Sequence, residues 1–259
     1  RSIFCSGTLN PIDDFAKVIG LENYVGQSFP SIFSEENAYT LITSYLNTKG
    51  EELEKDMATS YLHSIDIFIK SVNENVAVYA SSYRILGTLL DIGLEKIVSE
   101  NGRRLFLEEE GMSGKKGREL LEGFKKCAKS ERKGVLCAIA FGRFSEGVDF
   151  PGKELEGIFL VGIPFERLTT KTKLYIKYFQ KVYGKREGKY YAYVLPALKR
   201  ASQALGRALR SKEDRALFVL GDKRFKKYLN LLPDFVIKNY KLVKSVEELS
   251  KETSNYNLI

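Results

Sequence analysis

From residue 75 onward, short apolar runs alternate with longer stretches of helical periodicity, and few architectures accept that pattern. Val76-Ala77-Val78-Tyr79-Ala80 has no polar residue at all, and the runs at 134–141, 157–162 and 216–220 have the same unalternating character. A strand that shows no period of two is buried on both faces, which is the condition of a parallel sheet covered by helices on each side. Runs at 104–107 and 190–195 read as two more strands, and helices are predicted over 83–98, 111–130, 169–183 and from Pro196 onward. Upstream, 39–44 reads as a strand and 51–72 as a helix with Leu53, Met57, Tyr61, Leu62, Ile65 and Ile69 on its apolar side. The sequence also opens on a short apolar run, 2–5, read as a strand, and then on a helix over 11–19 that Asn10 could cap and Gly20 could end. A natural domain rarely begins inside a sheet, so residues before Arg1 are expected, though the sequence leaves open whether Arg1 is a native start. The fold class is therefore α/β, a parallel sheet with helices on both faces, spanning 1–240, with 241–259 as a polar C-terminal tail carrying a modest helix over 246–251 and a loose end.

Sheets of this kind place ligand loops at the carboxyl ends of their strands. Three loops fall there. Ser81-Ser82-Tyr83 offers hydroxyls and helix-start amides that could hold a phosphate, although capping alone explains them equally well. Residues 142–152 carry three glycines, two carboxylates and an arginine, more chemistry than a connector requires. Residues 163–167 lead into a helix in which Lys alternates with Tyr175, Tyr178, Phe179 and Tyr183, either a backbone-tracking surface or an amphipathic helix with solvated lysines.

The run Q-x-x-G-R-x-x-R at 203–210 is the densest motif. On a helix Gln203, Arg207 and Arg210 share one face, setting an amide beside two guanidiniums. Such forks match phosphate oxygens bidentately; a solvated basic face is the alternative. Gly206 costs a helix interior roughly 1 kcal/mol relative to alanine, which suggests a close approach to the backbone there.

Composition narrows the classes further. A formal charge of +8 in 259 residues favours an anionic partner, and equally suits a robust charged surface. No window of about 18 apolar residues and no signal-peptide core occur, so membrane and secretory readings fall away and a cytoplasmic location is expected. His63 is the one histidine, and Cys5, Cys127 and Cys137 lie far apart without C-x-x-C spacing. A metal site needs about four clustered ligands, so none is encoded; Cys5 and Cys137, in apolar runs, are expected to pack in the core.

Six motifs together resemble the XPD/DinG-type superfamily 2 DNA helicases, especially archaeal XPD: S-G-T-L-N-P at 6–11, V-Y-A-S-S-Y at 78–83, S-E-G-V-D-F at 145–150, V-G-I-P-F at 161–165, Q-A-L-G-R-A-L-R at 203–210 and D-K-R-F at 222–225. Their order matches from residue 1 to about 235. The resemblance implies a second RecA-like motor domain, carrying motifs III to VI, in an enzyme that hydrolyses ATP with Mg2+ to move along single-stranded DNA in DNA repair or related processing. It implies that Arg207 and Arg210 act as arginine fingers and that Gln203 contacts the phosphates, with Gly206 beside them. Glu146, Gly147 and Asp149 match the motif that couples nucleotide to DNA. Ser6, Gly7 and Thr8 match the motif that links hydrolysis to domain movement, and Ser81, Ser82 and Tyr83 the one that grips the single strand. Arg143 stands where relatives often carry lysine. The Walker A loop, the D-E-A-H box and the four cysteines of an iron–sulfur cluster belong to the family's first motor half, and the sequence contains no G-K-T and no D-E-A-H. The partners implied are that first motor domain, single-stranded DNA and repair-factor subunits. A nucleic-acid or protein docking module without nucleotide chemistry is the rival class.

Overall fold

The computed structural model describes residues 2–48, 53–145 and 148–256. Its centre is a seven-stranded sheet in which every pairing is parallel: β1 (Ala38–Thr43), β2 (Val76–Ala80), β3 (Arg104–Leu107), β4 (Gly134–Ile139), β5 (Gly157–Val161), β6 (Ala216–Gly221) and β7 (Tyr240–Val243), in the order β3-β4-β2-β5-β6-β1-β7. The unalternating runs have the burial that their composition requires, with every residue of β1, β2, β4, β5 and β6 buried.

Two hydrophobic layers sandwich the sheet. On one face lie α2 (Lys55–Lys70), α3 (Tyr83–Asp91), α4 (Leu94–Glu100) and α10 (Val246–Tyr256), which bury Tyr61, Phe68, Leu89, Leu94 and Leu249 against Val78 and Phe159. The other carries α5 (Gly114–Cys127), α8 (Leu195–Leu205) and α9 (Asp234–Ile237), with Phe124, Leu198 and Phe235 packed on Tyr79 and Phe218. A satellite cluster of Phe179, Tyr191, Ala192 and Leu195 joins α6 (Thr170–Tyr183), and the turn that follows α7 (Lys185–Lys189), to α1 (Ile12–Val18), whose Val18 packs on it.

Several expectations need correction. The 190–195 run is no strand: it is a π-helical turn that links α7 to α8. An apolar run of this length cannot be assigned by periodicity alone, and the π turn accommodates Pro196, which lacks the N–H a regular ladder would use. The 83–98 helix is two helices, because Gly93 takes φ +117°, a left-handed conformation open to glycine. Residues 2–5 make no strand; Ile3 is 91% exposed, Phe4 meets Phe15 edge-on at 5.4 Å, and Cys5 is exposed rather than core, whereas Cys137 is fully buried. Asn10 does not cap α1; its side-chain oxygen accepts from Ser28 Oγ at 2.9 Å.

The expected tail closes the sheet instead of trailing from it. β7 pairs with β1, Thr40 facing Tyr240 and Thr43 facing Val243, and α10 runs to Tyr256 with Leu249 and Thr253 buried. Its amphipathic side was hidden in sequence because Tyr256 and Glu252 anchor it through hydroxyl and carboxylate contacts, to Glu156 at 2.8 Å and from Tyr39 at 2.7 Å.

Candidate functional site

The sequence-predicted residues divide between two places. The first is a cleft of about 840 Å³ between the end of α8, the N-terminal segment and the 230–235 turn. Ser6, Gly7 and Thr8 line it together with Gln203, Gly206, Arg207 and Arg210. Two motifs nearly two hundred residues apart in sequence therefore face one space. Ser6 Oγ accepts the Thr8 amide at 3.2 Å, so the S-G-T turn shapes itself.

The arginines are not on a helix face. α8 stops at Leu205 with Gly206 as its C-cap, and 207–210 turn away toward β6. Gly206 has φ −64°, and a Cβ there would make only ordinary contact, 3.4 Å from the Ser202 carbonyl. Among the described residues no other segment presses on it, so the close approach inferred from sequence finds no partner there. The turn is held by Asp214, 7% exposed, whose carboxylate accepts the Arg210 and Ser211 amides at 2.6 and 2.7 Å.

The two guanidiniums sit differently. Arg207 Nε donates to the Ser145 carbonyl at 2.9 Å and its Nη1 to the Val148 carbonyl at 3.0 Å, with Asp149 at 3.5 Å. Its side chain is 16% exposed. Arg210, 35% exposed, has an ion pair with the same Asp149, whose own side chain is 69% exposed. One exposed carboxylate thus lies between two cationic forks. Lys199, one turn before Gln203, also lines the cleft; burial lowers its pKa, Asp14 opposes that shift, and its Nζ reaches the Leu9 carbonyl at 3.4 Å. Sequence reading missed Lys199 and Asp214. The i−4 spacing from Gln203 could have revealed the first; nothing local marks the second.

The second place is the rim at the carboxyl ends of the strands. Ser82 caps α3, its hydroxyl accepting the Ile85 amide at 3.3 Å. Ser81 is 7% exposed, so of the three predicted gripping residues it is the one turned inward. Tyr83 is half-buried, and its pKa is pushed up to about 12, by burial first and by Glu108 and Glu110 next. Arg143 is exposed, but its Nη1 donates to the Ser113 carbonyl at 2.7 Å. Gly117 makes this contact possible, since a Cβ there would lie 2.5 Å from that nitrogen. Glu146 and Gly147 lie outside the described residues.

The D-K-R-F motif also falls on the rim. Asp222 is fully buried and accepts from the Thr48 hydroxyl and amide, both at 3.1 Å, and from Arg224 Nη2 at 2.7 Å. The Arg224 guanidinium lies 5.4 Å from the Phe165 ring centre, and Phe165 stacks on Tyr193 at 4.9 Å. Among the described residues no group of three His, Cys, Asp or Glu could hold a metal ion, and no helix is long and apolar enough to cross a membrane.

A seven-stranded parallel sheet with helices on both faces is the RecA-like α/β architecture. The chain belongs to the helicase C-terminal domain family, whose model matches residues 65–239. It is 24% identical over 247 residues to the Saccharomyces cerevisiae general transcription and DNA repair factor IIH helicase subunit XPD/RAD3, covering 90% of this chain and 31% of that protein. It is 27% identical over 233 residues to a probable ATP-dependent helicase of Methanocaldococcus jannaschii, covering 86% and 34%. A solved apo XPD structure superposes with a TM-score of 0.66 at 23% identity, over 92% of this chain and 47% of that one. The chain spans about a third of the length of these curated relatives, and its helicase C-terminal domain is similar to theirs.

Proposed function

We propose that this chain is the second motor domain of an ATP-dependent DNA helicase of XPD type, acting on ATP held by a first motor domain and on single-stranded DNA. The observation that carries this reading is the pair Arg207 and Arg210, which line a cleft together with Gln203, Ser6 and Thr8 and share one exposed carboxylate partner, Asp149. The donor set is cationic and amide-rich, which suits a nucleotide's phosphates, and Mg2+ would be held chiefly by those phosphates and the first motor domain. ATP supplies the phosphoanhydride whose cleavage drives movement.

Within this chain the roles separate by exposure. Arg210, tethered by one exposed carboxylate, is free to leave it and stabilise charge on a transferring phosphoryl group. Arg207 spends two of its donors on the Ser145 and Val148 carbonyls, so it positions the 142–152 loop while lending its charge. Gln203 contacts the phosphates, with the Gly206 backbone beside them, and Ser6, Gly7 and Thr8 relay cleft closure to the N-terminal segment. Glu146, Gly147 and Asp149 link nucleotide to DNA. At the rim, Ser82, Tyr83 and Arg143 face the nucleic-acid backbone, and Ser81 packs behind them. An iron–sulfur cluster belongs to the first half, and repair-factor subunits are the expected partners.

The test pairs this chain with the first motor domain and measures DNA-stimulated ATP hydrolysis. Arg210→Ala is expected to lower turnover about 10³-fold by analogy with other fingers while DNA affinity stays within twofold. Unchanged turnover would remove the finger assignment. A second reading, docking without nucleotide chemistry, is favoured by α6, where Leu174, Tyr175, Tyr178 and Val182 are exposed on a helix without acids. ATP-independent binding undiminished in Arg210→Ala, with no hydrolysis in any pairing, would favour it.

A further inference from the structure

The arginines account for only part of the cleft wall. Its volume, about 840 Å³, is that of a site for a whole small molecule, and a phosphate tail needs a fraction of it. The rest of the wall comes from residues 29–33 and 230–235 and is largely apolar: Phe29, Ile32, Phe33 and Phe235 line it, together with Asn230.

This part has a fixed floor and an open side. Phe33 meets Phe235 edge-on at 5.7 Å, and Phe235, 8% exposed, lies 6.0 Å from Phe218 of β6, so the floor is anchored in the core. Phe29 and Ile32, by contrast, are 78% and 60% exposed. The segment that carries them is tied at both ends. Ser28 Oγ donates to Asn10 Oδ1 at 2.9 Å, close to the S-G-T turn, and the Phe33 carbonyl accepts from Lys238 Nζ at 3.4 Å. Two apolar side chains are thus held in water on the wall that the arginines share. Asn230 is exposed, and its amide makes no hydrogen bond among the described residues.

We propose that this part of the wall is a nucleobase subsite, in which Phe29 and Ile32 cover the face of a purine ring and Asn230 reads its edge. This rests on the reading that Arg207 and Arg210 face a nucleotide's phosphates. An aromatic ring beside a branched aliphatic chain suits the flat face of a base, and a purine offers more area to it than a pyrimidine. The asparagine amide has a donor side and an acceptor side, which matches the adjacent ring nitrogen and amino group of adenine; guanine presents two acceptors at that edge. Phe29 and Asn230 therefore set specificity, and the arginines supply affinity for any triphosphate.

Calorimetric titration of the full chain with ATP, UTP, GTP and inorganic tripolyphosphate tests this. ATP and UTP share ribose and triphosphate, so their affinity ratio reports the base alone. Wild type is expected to bind ATP about 5-fold more tightly than UTP, and Phe29→Ala to bring the two within about 2-fold. Asn230→Ala should remove a preference of about 5-fold for ATP over GTP and keep the preference over UTP. Both side chains are exposed, so neither substitution reaches the core. Equal affinity of wild type for ATP and UTP, or a ratio unchanged in Phe29→Ala, would overturn the subsite while tripolyphosphate binding still upholds the arginine cleft. Absence of both ATP and tripolyphosphate binding would remove the phosphate reading, and the subsite with it. If Phe29→Ala keeps the ratio and weakens association with the first motor domain, Phe29 belongs to a domain contact and the proposal fails.

Discussion

The cleft and the rim use carboxylates in opposite ways. Beside the cleft, Asp149 is 69% exposed and pairs with Arg210, 35% exposed, and more distantly with Arg207, 16% exposed. At the rim, Asp222 is fully buried and accepts from Thr48 and Arg224, and Glu108, 5% exposed, accepts the Ile139 amide. An exposed ion pair is worth about 0–1 kcal/mol, so it can be exchanged for a better anion at little cost. A buried one loses several kcal/mol if either partner goes. The pair beside the cleft is held weakly, and the buried carboxylates of the rim are held firmly.

The largest expected effect tests the rim. Asp222→Ala leaves the Arg224 guanidinium and the Thr48 amide without their acceptor and should cost about 3–5 kcal/mol in denaturant unfolding; a loss within 1 kcal/mol would show the buried carboxylate to be dispensable. Arg207→Ala probes the part of the cleft that behaves like the rim. Removing charged hydrogen bonds to two carbonyls should cost about 2–4 kcal/mol, alongside its effect on hydrolysis.

A smaller effect comes from pH. Burial raises the Glu108 pKa, with the Ile139 amide, Tyr83 and Arg143 opposing it. A carboxyl with a raised folded pKa binds its proton more tightly folded than unfolded, so stability should fall as pH rises from the unfolded value of about 4.3 through the folded one. Thermal midpoints of wild type and Glu108→Gln across that window should converge at its acid end and separate above it; parallel curves would contradict the assignment. The smallest effect is Asp149→Asn, expected within about 0.5 kcal/mol of wild type in the same unfolding assay.

The same contrast explains what could be read from sequence. Parallel strands announced themselves because burial on both faces removes every polar residue from a run such as 157–161. The Tyr190–Val194 turn carried an identical signal and was helical, since composition reports burial and not backbone geometry. β7, short and with Tyr240 and Lys241 exposed, gave no such signal. In the site, motif residues were legible, while Asp214, Lys199 and Glu108 act through contacts that only the fold creates. The helix face assigned to Arg207 and Arg210 failed because α8 ends at Gly206, and a glycine inside an arginine motif reads equally as a close approach or as a stop.

The central claim is that Asp149 holds Arg207 and Arg210 where a phosphate can replace it. Calorimetric titration of the chain with inorganic tripolyphosphate tests this directly, comparing wild type, Asp149→Asn and Asp149→Asn combined with Arg210→Ala. Removing the competing charge should tighten binding about 5- to 10-fold, and the added Arg210→Ala should abolish the gain. Equal affinity in wild type and Asp149→Asn, or a gain that survives loss of Arg210, would contradict the account.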